Sequence, residues 1–192
     1  MNRGYTLLEI LVVLSLILIT FAMAVPLTLS SVEYSRAAAA ARYVSGRLAL
    51  TRMEAVKRNT FVALRFEPRD GRFILSTYVD GNHNGVRRTD VAQNIDLMHG
   101  TSMTLDTQFS GVRFGLYSDV LPVAQGDSLA DGDPIRIGRS EFLSFSPLGS
   151  ATAGTVYIRG RGHHQFAVRV LGVTGRVRVL RFDFHNRRWV VL

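Results

Sequence analysis

Glu9 is the only charged residue in an apolar run from Tyr5 to Leu29. A carboxylate among apolar neighbours is costly unless a cation meets it, so Glu9 reads as a functional residue by default. Asp80-Gly81-Asn82-His83-Asn84-Gly85 places oxygen-bearing side chains at alternate positions before a glycine, as the start of a calcium loop does. Such a loop wants a bidentate acid at its twelfth position, and here that position is Val91, with Asp90 one residue early. Asn84-Gly85 is also a tight-turn dipeptide. Asp80, Asn82 and Asn84 are therefore held as a metal candidate secondary to a structural turn, and no cofactor is expected. His163-His164 are adjacent, so on an extended chain they point to opposite sides. With no nearby carboxylate expected, they read as part of a solvated basic hairpin. Arg176 and Arg178 share one face of a strand and could neutralise phosphates. Ser, His and Asp occur without a nucleophile-elbow or triad pattern, and neither a phosphate loop nor a dinucleotide fingerprint is present. An enzyme is not expected.

The elements that carry these residues follow from periodicity. The apolar run is long enough to cross a bilayer as a helix, since about 20 residues suffice. Arg3 precedes it, which keeps the short N-terminus cytoplasmic and exports the rest. From residue 30 to Arg58 the pattern stays helical, with Ala37, Ala41, Val44, Leu48, Thr51 and Ala55 on one stripe that should pack on a sheet. After Asn59 the period changes to that of strands. Phe61–Phe66 and Phe73–Val79 flank a turn over residues 67–71. Shorter candidates are 95–98, 103–105, 112–116 and 135–137, then an acidic, polar surface loop is expected over Gly126–Pro134. Strands over 141–145, 155–158 and 166–171 precede a closing hairpin around His185-Asn186, with Trp189 in the core. The fold class is α+β: a long transmembrane and spine helix followed by a mostly antiparallel β domain. Along the last strands the apolar parity flips near Val179–Leu180, which predicts a bulge or a change of partner there.

Charge sharpens one region. The net charge is +8 with no cysteine. Residues 151–192 hold eight Arg against Asp183 alone, so nearly all the surplus is C-terminal and the rest of the chain is close to neutral. Zero cysteines exclude disulfides, thiol catalysis and Cys-ligated metal.

Gly4-Tyr5-Thr6-Leu7-Leu8-Glu9 resembles the processing site of type IV prepilins and type II secretion pseudopilins. The resemblance implies that prepilin peptidase cuts after Gly4 and methylates Tyr5, where Phe is more usual. It also implies that Glu9 pairs with the N-terminal ammonium of a neighbouring subunit during filament assembly. Pro26 falls where many such helices kink, in keeping with the hydrogen bond that a mid-helix proline removes. Phe145-Ser146-Pro147-Leu148-Gly149, Gly154-Thr155-Val156-Tyr157-Ile158 and Gly175-Arg176-Val177-Arg178-Val179 look like the GspH/FimT group of minor pilins and pseudopilins. That likeness implies a type IV pilin-like organisation. Residues 1–4 are then the leader, 5–29 the transmembrane and assembly helix, and 30–192 a periplasmic domain made of helix 30–58 and β domain 59–192. It implies a single-pass inner-membrane subunit whose partners are other pilin or pseudopilin subunits and the prepilin peptidase. Glu9 implies a place just below the tip, because the tip-most pseudopilin typically lacks the glutamate. Two readings stay open: a minor pseudopilin of type II secretion, or a minor type IV pilin that binds DNA through Arg176 and Arg178.

Overall fold

The computed structural model describes residues 6–124, 128–138 and 140–192, the side chains at 26 and 27 excepted. One helix, α1 (Leu7–Arg58), runs for 52 residues, about 78 Å at 1.5 Å per residue. Thr6 caps its start, the hydroxyl accepting the Glu9 N–H at 3.3 Å. Thr6 and Glu9 thus stand at the two positions of a capping-box sequence, and the acid lies in the first turn, where the helix dipole favours negative charge. Asn59 ends the helix in the left-handed conformation, φ 52°, with its N–H bonded to Ala55 and Val56 carbonyls.

Then come β1 (Val62–Arg69), β2 (Arg72–Val79), α2 (Arg88–Ala92), β3 (Leu97–Thr104), α3 (Leu105–Gln108), β4 (Arg113–Phe114) and β5 (Ile135–Arg136). They are followed by β6 (Phe142–Phe145), β7 (Gly154–Arg159), β8 (Gln165–Leu171), β9 (Arg176–Asp183) and β10 (Arg188–Val191). Two antiparallel sheets result, ordered β3-β2-β1-β6 and β10-β9-β8-β7-β4, with β5 also on β7. The C-terminal half of α1 packs on both. Ala37, Ala41, Val44, Leu48, Thr51 and Ala55 are all buried, as the stripe predicts. Phe66, Phe145 and Phe166 fill the space between that stripe and the sheets. The N-terminal half has no such partner: residues 6–25 and 28–32 are exposed on every side of the helix.

Local differences from the sequence reading have physical causes. The 67–71 turn is shorter than expected, because β1 continues to Arg69 and only Asp70 (φ 50°) and Gly71 (φ 73°) turn. Two consecutive positive φ values make the tight hairpin that matches strand twist. Pro68 is tolerated there since β6 pairs with β1 only along Val62–Arg65, leaving an edge beyond that needs no N–H. The short candidates 95–98 and 103–105 merge into β3, whose register shifts opposite Leu75–Thr77 around Gly100 at φ 78°. The expected bulge at Val179–Leu180 is corrected: β9 keeps unbroken register with β8 from Arg176 to Arg181. Parity flips because the sheet is covered on both sides. Val177 and Val179 face α1, whereas Leu180 joins Tyr157, Ala167 and Trp189 in a second cluster on the outer face.

The outer cluster is roofed by the segment after β4. Tyr157 accepts the Val123 N–H at 3.0 Å, and Trp189 donates its indole N–H to the Leu121 carbonyl at 2.8 Å. Fully buried Gln165 donates to Gly115 and accepts from the Tyr117 N–H. Within the expected acidic loop, Gly126 and Asp127 lie outside the described residues, and exposed Asp131 ion-pairs with Arg136.

Candidate functional site

Three places carry the residues singled out by sequence. At the N-terminus, Gly4 and Tyr5 lie outside the described residues, as does the side chain of Pro26, while the helix itself runs on through that position. Glu9 is exposed and has no ion-pair partner among the described residues. The geometry leaves its carboxylate open to a cation from another molecule, on a half-helix with apolar side chains all round it.

The second place is the 80–96 loop. Asp80 is buried and accepts the Asn82 N–H at 3.1 Å and the Gly85 N–H at 2.8 Å. Asn82 and Asn84 donate their side-chain amides to Asp90 at 3.2 and 3.0 Å. These bonds, with one from Thr89, hold the Asp90 carboxyl below the usual carboxylate range. Asp96, which sequence reasoning missed, is buried and accepts from the Gly81 and Arg87 amides at 3.0 and 2.9 Å. Carboxylates that accept from neighbouring amides order a turn, and this is the role the contacts assign to Asp80, Asn82 and Asn84. Nothing in the primary sequence marked Asp96, because its partners lie nine and fifteen residues away.

The third place is the C-terminal arginines. Arg176 and Arg178 are exposed on β9, and Arg178 stands directly opposite Arg169 of β8. Like charges facing each other across strands are unfavourable and raise the local positive potential. Arg169 is partly engaged, donating to the Val123 carbonyl at 3.3 Å; Arg176 and Arg178 have no carboxylate partner among the described residues. Gly175, at φ 59°, leads into them because a Cβ there would sit 2.2 Å from the Gly149 carbonyl oxygen. The glycine of this Gly-Arg-x-Arg run therefore serves a close backbone approach, and only the arginines are free to meet a ligand.

The histidines split as adjacency predicts. His163 stacks on Phe184 and Tyr117, with ring centroids 3.9 and 4.5 Å away, and His164 meets Tyr34 of the helix at 5.5 Å. The expectation of no nearby carboxylate is corrected, since Asp119 lies 3.2 Å from His163 Nε2. The two are 44 residues apart and meet only through the fold.

Comparison with known proteins adds to this geometry. Residues 40–119 match the family model described as type II transport protein GspH, and residues 1–25 match the prokaryotic N-terminal methylation motif. Residues 40–119 are thus similar to the GspH family, and the N-terminus carries a prepilin-type motif. The GspH match covers α1 from Ala40 onward and the elements β1 to β4. It stops before Phe145–Gly149, Gly154–Ile158 and Gly175–Val179. Solved structures similar to it include that of the minor pseudopilin EpsH from the type 2 secretion system of Vibrio cholerae. Identity is 18%, coverage 76% of this chain and 97% of that one, and the TM-score 0.46. A crystal structure of the same Vibrio cholerae pseudopilin is 16% identical, with 83% and 94% coverage and a TM-score of 0.42. No curated protein sequence matches the chain.

Proposed function

We propose that this chain is a GspH-family minor pseudopilin of a type II protein secretion system. Its action is mechanical, to help initiate the pseudopilus near its tip. In this reading prepilin peptidase removes residues 1–4 after Gly4, and Tyr5 is methylated. Residues 5–29 then anchor the subunit in the inner membrane, with Pro26 kinking the helix, and residues 30–192 stand in the periplasm. Glu9 matches the N-terminal ammonium of a neighbour, and the other pseudopilin subunits are the partners. The observation that carries this is one continuous helix. Its second half is the buried spine of a GspH segment, and its first half is exposed and apolar apart from Glu9. Mass spectrometry of the chain recovered from cells with and without prepilin peptidase tests the processing. With the enzyme, the chain should lose four residues and gain one methyl group on Tyr5; an intact Met1–Gly4 leader in its presence overturns the reading.

Exposed Arg176 and Arg178 beside Arg169 support a second reading, a minor pilin that binds DNA. The domain from residue 30 onward should then retard duplex DNA at low salt and lose it steeply as salt rises. Arg176→Gln with Arg178→Gln should weaken binding on the order of tenfold, since each neutralised phosphate contributes to the salt slope. Retardation that the double variant leaves unchanged removes this site, and no retardation at low salt removes the DNA reading.

A further inference from the structure

A different set of arginines lies at the end of the domain nearest the anchor. A cleft of about 560 Å³ opens there between the β1–β2 hairpin tip, the start of β4 and the β7–β8 loop. Its height is fixed by contacts with α1. A Cβ at Gly160 would touch Ala37, Gly162 lies against the Glu33 carboxylate, and His164 packs on Tyr34. Those helix residues come one to two turns after Leu29, about 6–12 Å above the end of the apolar run at 1.5 Å per residue. Higher up the helix, Tyr43 meets Met103 and Phe109, Arg47 meets Thr77 and Arg58 meets His99. The first sheet therefore descends toward the anchor, and its hairpin tip ends beside the cleft.

The cleft is positive and under-compensated. Arg113 and Arg161 are exposed, and Arg113 stands opposite Arg159 across the β4–β7 pair. None of the three has an ion-pair partner among the described residues. Arg159 is held over the Tyr117 ring at 4.0 Å. Gly111, at φ 80°, makes room for Arg161, whose Nε would lie 2.5 Å from a Cβ at that position. Arg72 is taken by Asp106 at 2.9 Å, Asp119 faces His163 at 3.2 Å, and Asp70 and Glu33 are further carboxylates at this end. Facing like charges at a strand pair are unfavourable until an anion lies between them.

We propose that this cleft docks the phosphate headgroups of anionic lipids in the membrane that anchors the chain. The inference rests on the reading of residues 5–29 as a membrane anchor. The anchor presents the bilayer surface at about one Debye length from this end of the domain, about 10 Å, at an effective concentration no free anion matches. Arginine forks suit phosphate oxygens. The contact holds the domain down on the bilayer before assembly, and departure into a filament breaks it.

The test uses the full chain in vesicles. Because the sequence has no cysteine, Ser110→Cys places a single fluorophore beside the cleft, and nitroxide-headgroup lipids quench it. Vesicles of phosphatidylcholine alone are compared with phosphatidylcholine plus phosphatidylglycerol. Quenching should be several-fold stronger with phosphatidylglycerol, fall with salt, and be lost in the Arg113→Gln, Arg159→Gln, Arg161→Gln triple variant. The double variant of the exposed pair, Arg113→Gln with Arg161→Gln, should lose most of it and removes any doubt from the half-buried Arg159. Equal quenching in both lipids, or quenching unchanged in the double variant, overturns the proposal. So does displacement by a soluble acidic peptide, which would make the cleft a protein site. Resistance to alkaline carbonate extraction should hold in every variant. Extraction of the unmutated chain would overturn the anchor reading itself and is a separate readout.

Discussion

Glu9→Leu should insert in the membrane as the unmutated chain does and be absent from filaments. The Thr6 cap uses the Glu9 backbone N–H, so the substitution leaves the helix start intact and makes the run more apolar. What it removes is the anion proposed to face a neighbour's N-terminal ammonium. Leaving one partner of a buried pair alone costs about 3–5 kcal/mol, which is a loss of incorporation on the order of a hundredfold or more. Glu9→Gln keeps the shape and should share the defect, separating charge from packing. Quantitative immunoblotting of sheared filaments against the membrane fraction reads the ratio. Normal incorporation of either variant would remove Glu9 from the assembly mechanism.

Phe166→Ala should be the most damaging single change to the folded domain. Phe166 is fully buried between α1 and the second sheet, with its ring 5.8 Å from Tyr34. Truncating a buried phenylalanine costs about 3–5 kcal/mol through lost transfer energy and an unfilled cavity. The buried core begins at Ala37, so urea unfolding of residues 30–192 measures it. Val173→Ala, at a side chain 92% exposed, is the matched control and should move stability by no more than about 0.5 kcal/mol. A loss under about 1 kcal/mol at Phe166 would mean that helix and second sheet are not packed as described.

Helix and strands were legible because their signals are local. The stripe from Ala37 to Ala55 follows one period over several turns, and each strand from β6 to β9 overlaps an apolar segment that sequence alone picks out. The short helices α2 and α3 were not legible, since five and four residues show no period. The parity flip of β9 was visible but misread. A one-dimensional pattern cannot distinguish a kinked strand from a flat one whose outer face is roofed by a loop some sixty residues earlier. Site residues divide in the same way. Glu9, Arg176 and Arg178 stand out against their own neighbours. Asp96, Asp119 and Arg169 acquire a role only through the chain that folds back on them, and Arg113 faces Arg159 only once β4 pairs with β7.

In the proposed reading the two halves of α1 live in different solvents. Among the described residues, fifteen large apolar side chains from Leu7 to Leu29 are exposed in the isolated chain. Each is worth about 1.5–3 kcal/mol when taken out of water, so the total is on the order of tens of kcal/mol. A subunit with that helix in water would be trapped as an aggregate long before it met a filament. If the chain is the proposed pseudopilin, its route from bilayer to filament must therefore be a direct handover, in which each turn of helix exchanges lipid tails for neighbouring helices without an aqueous intermediate. The machinery that adds subunits is constrained to work at the membrane surface, lifting by small steps and never releasing.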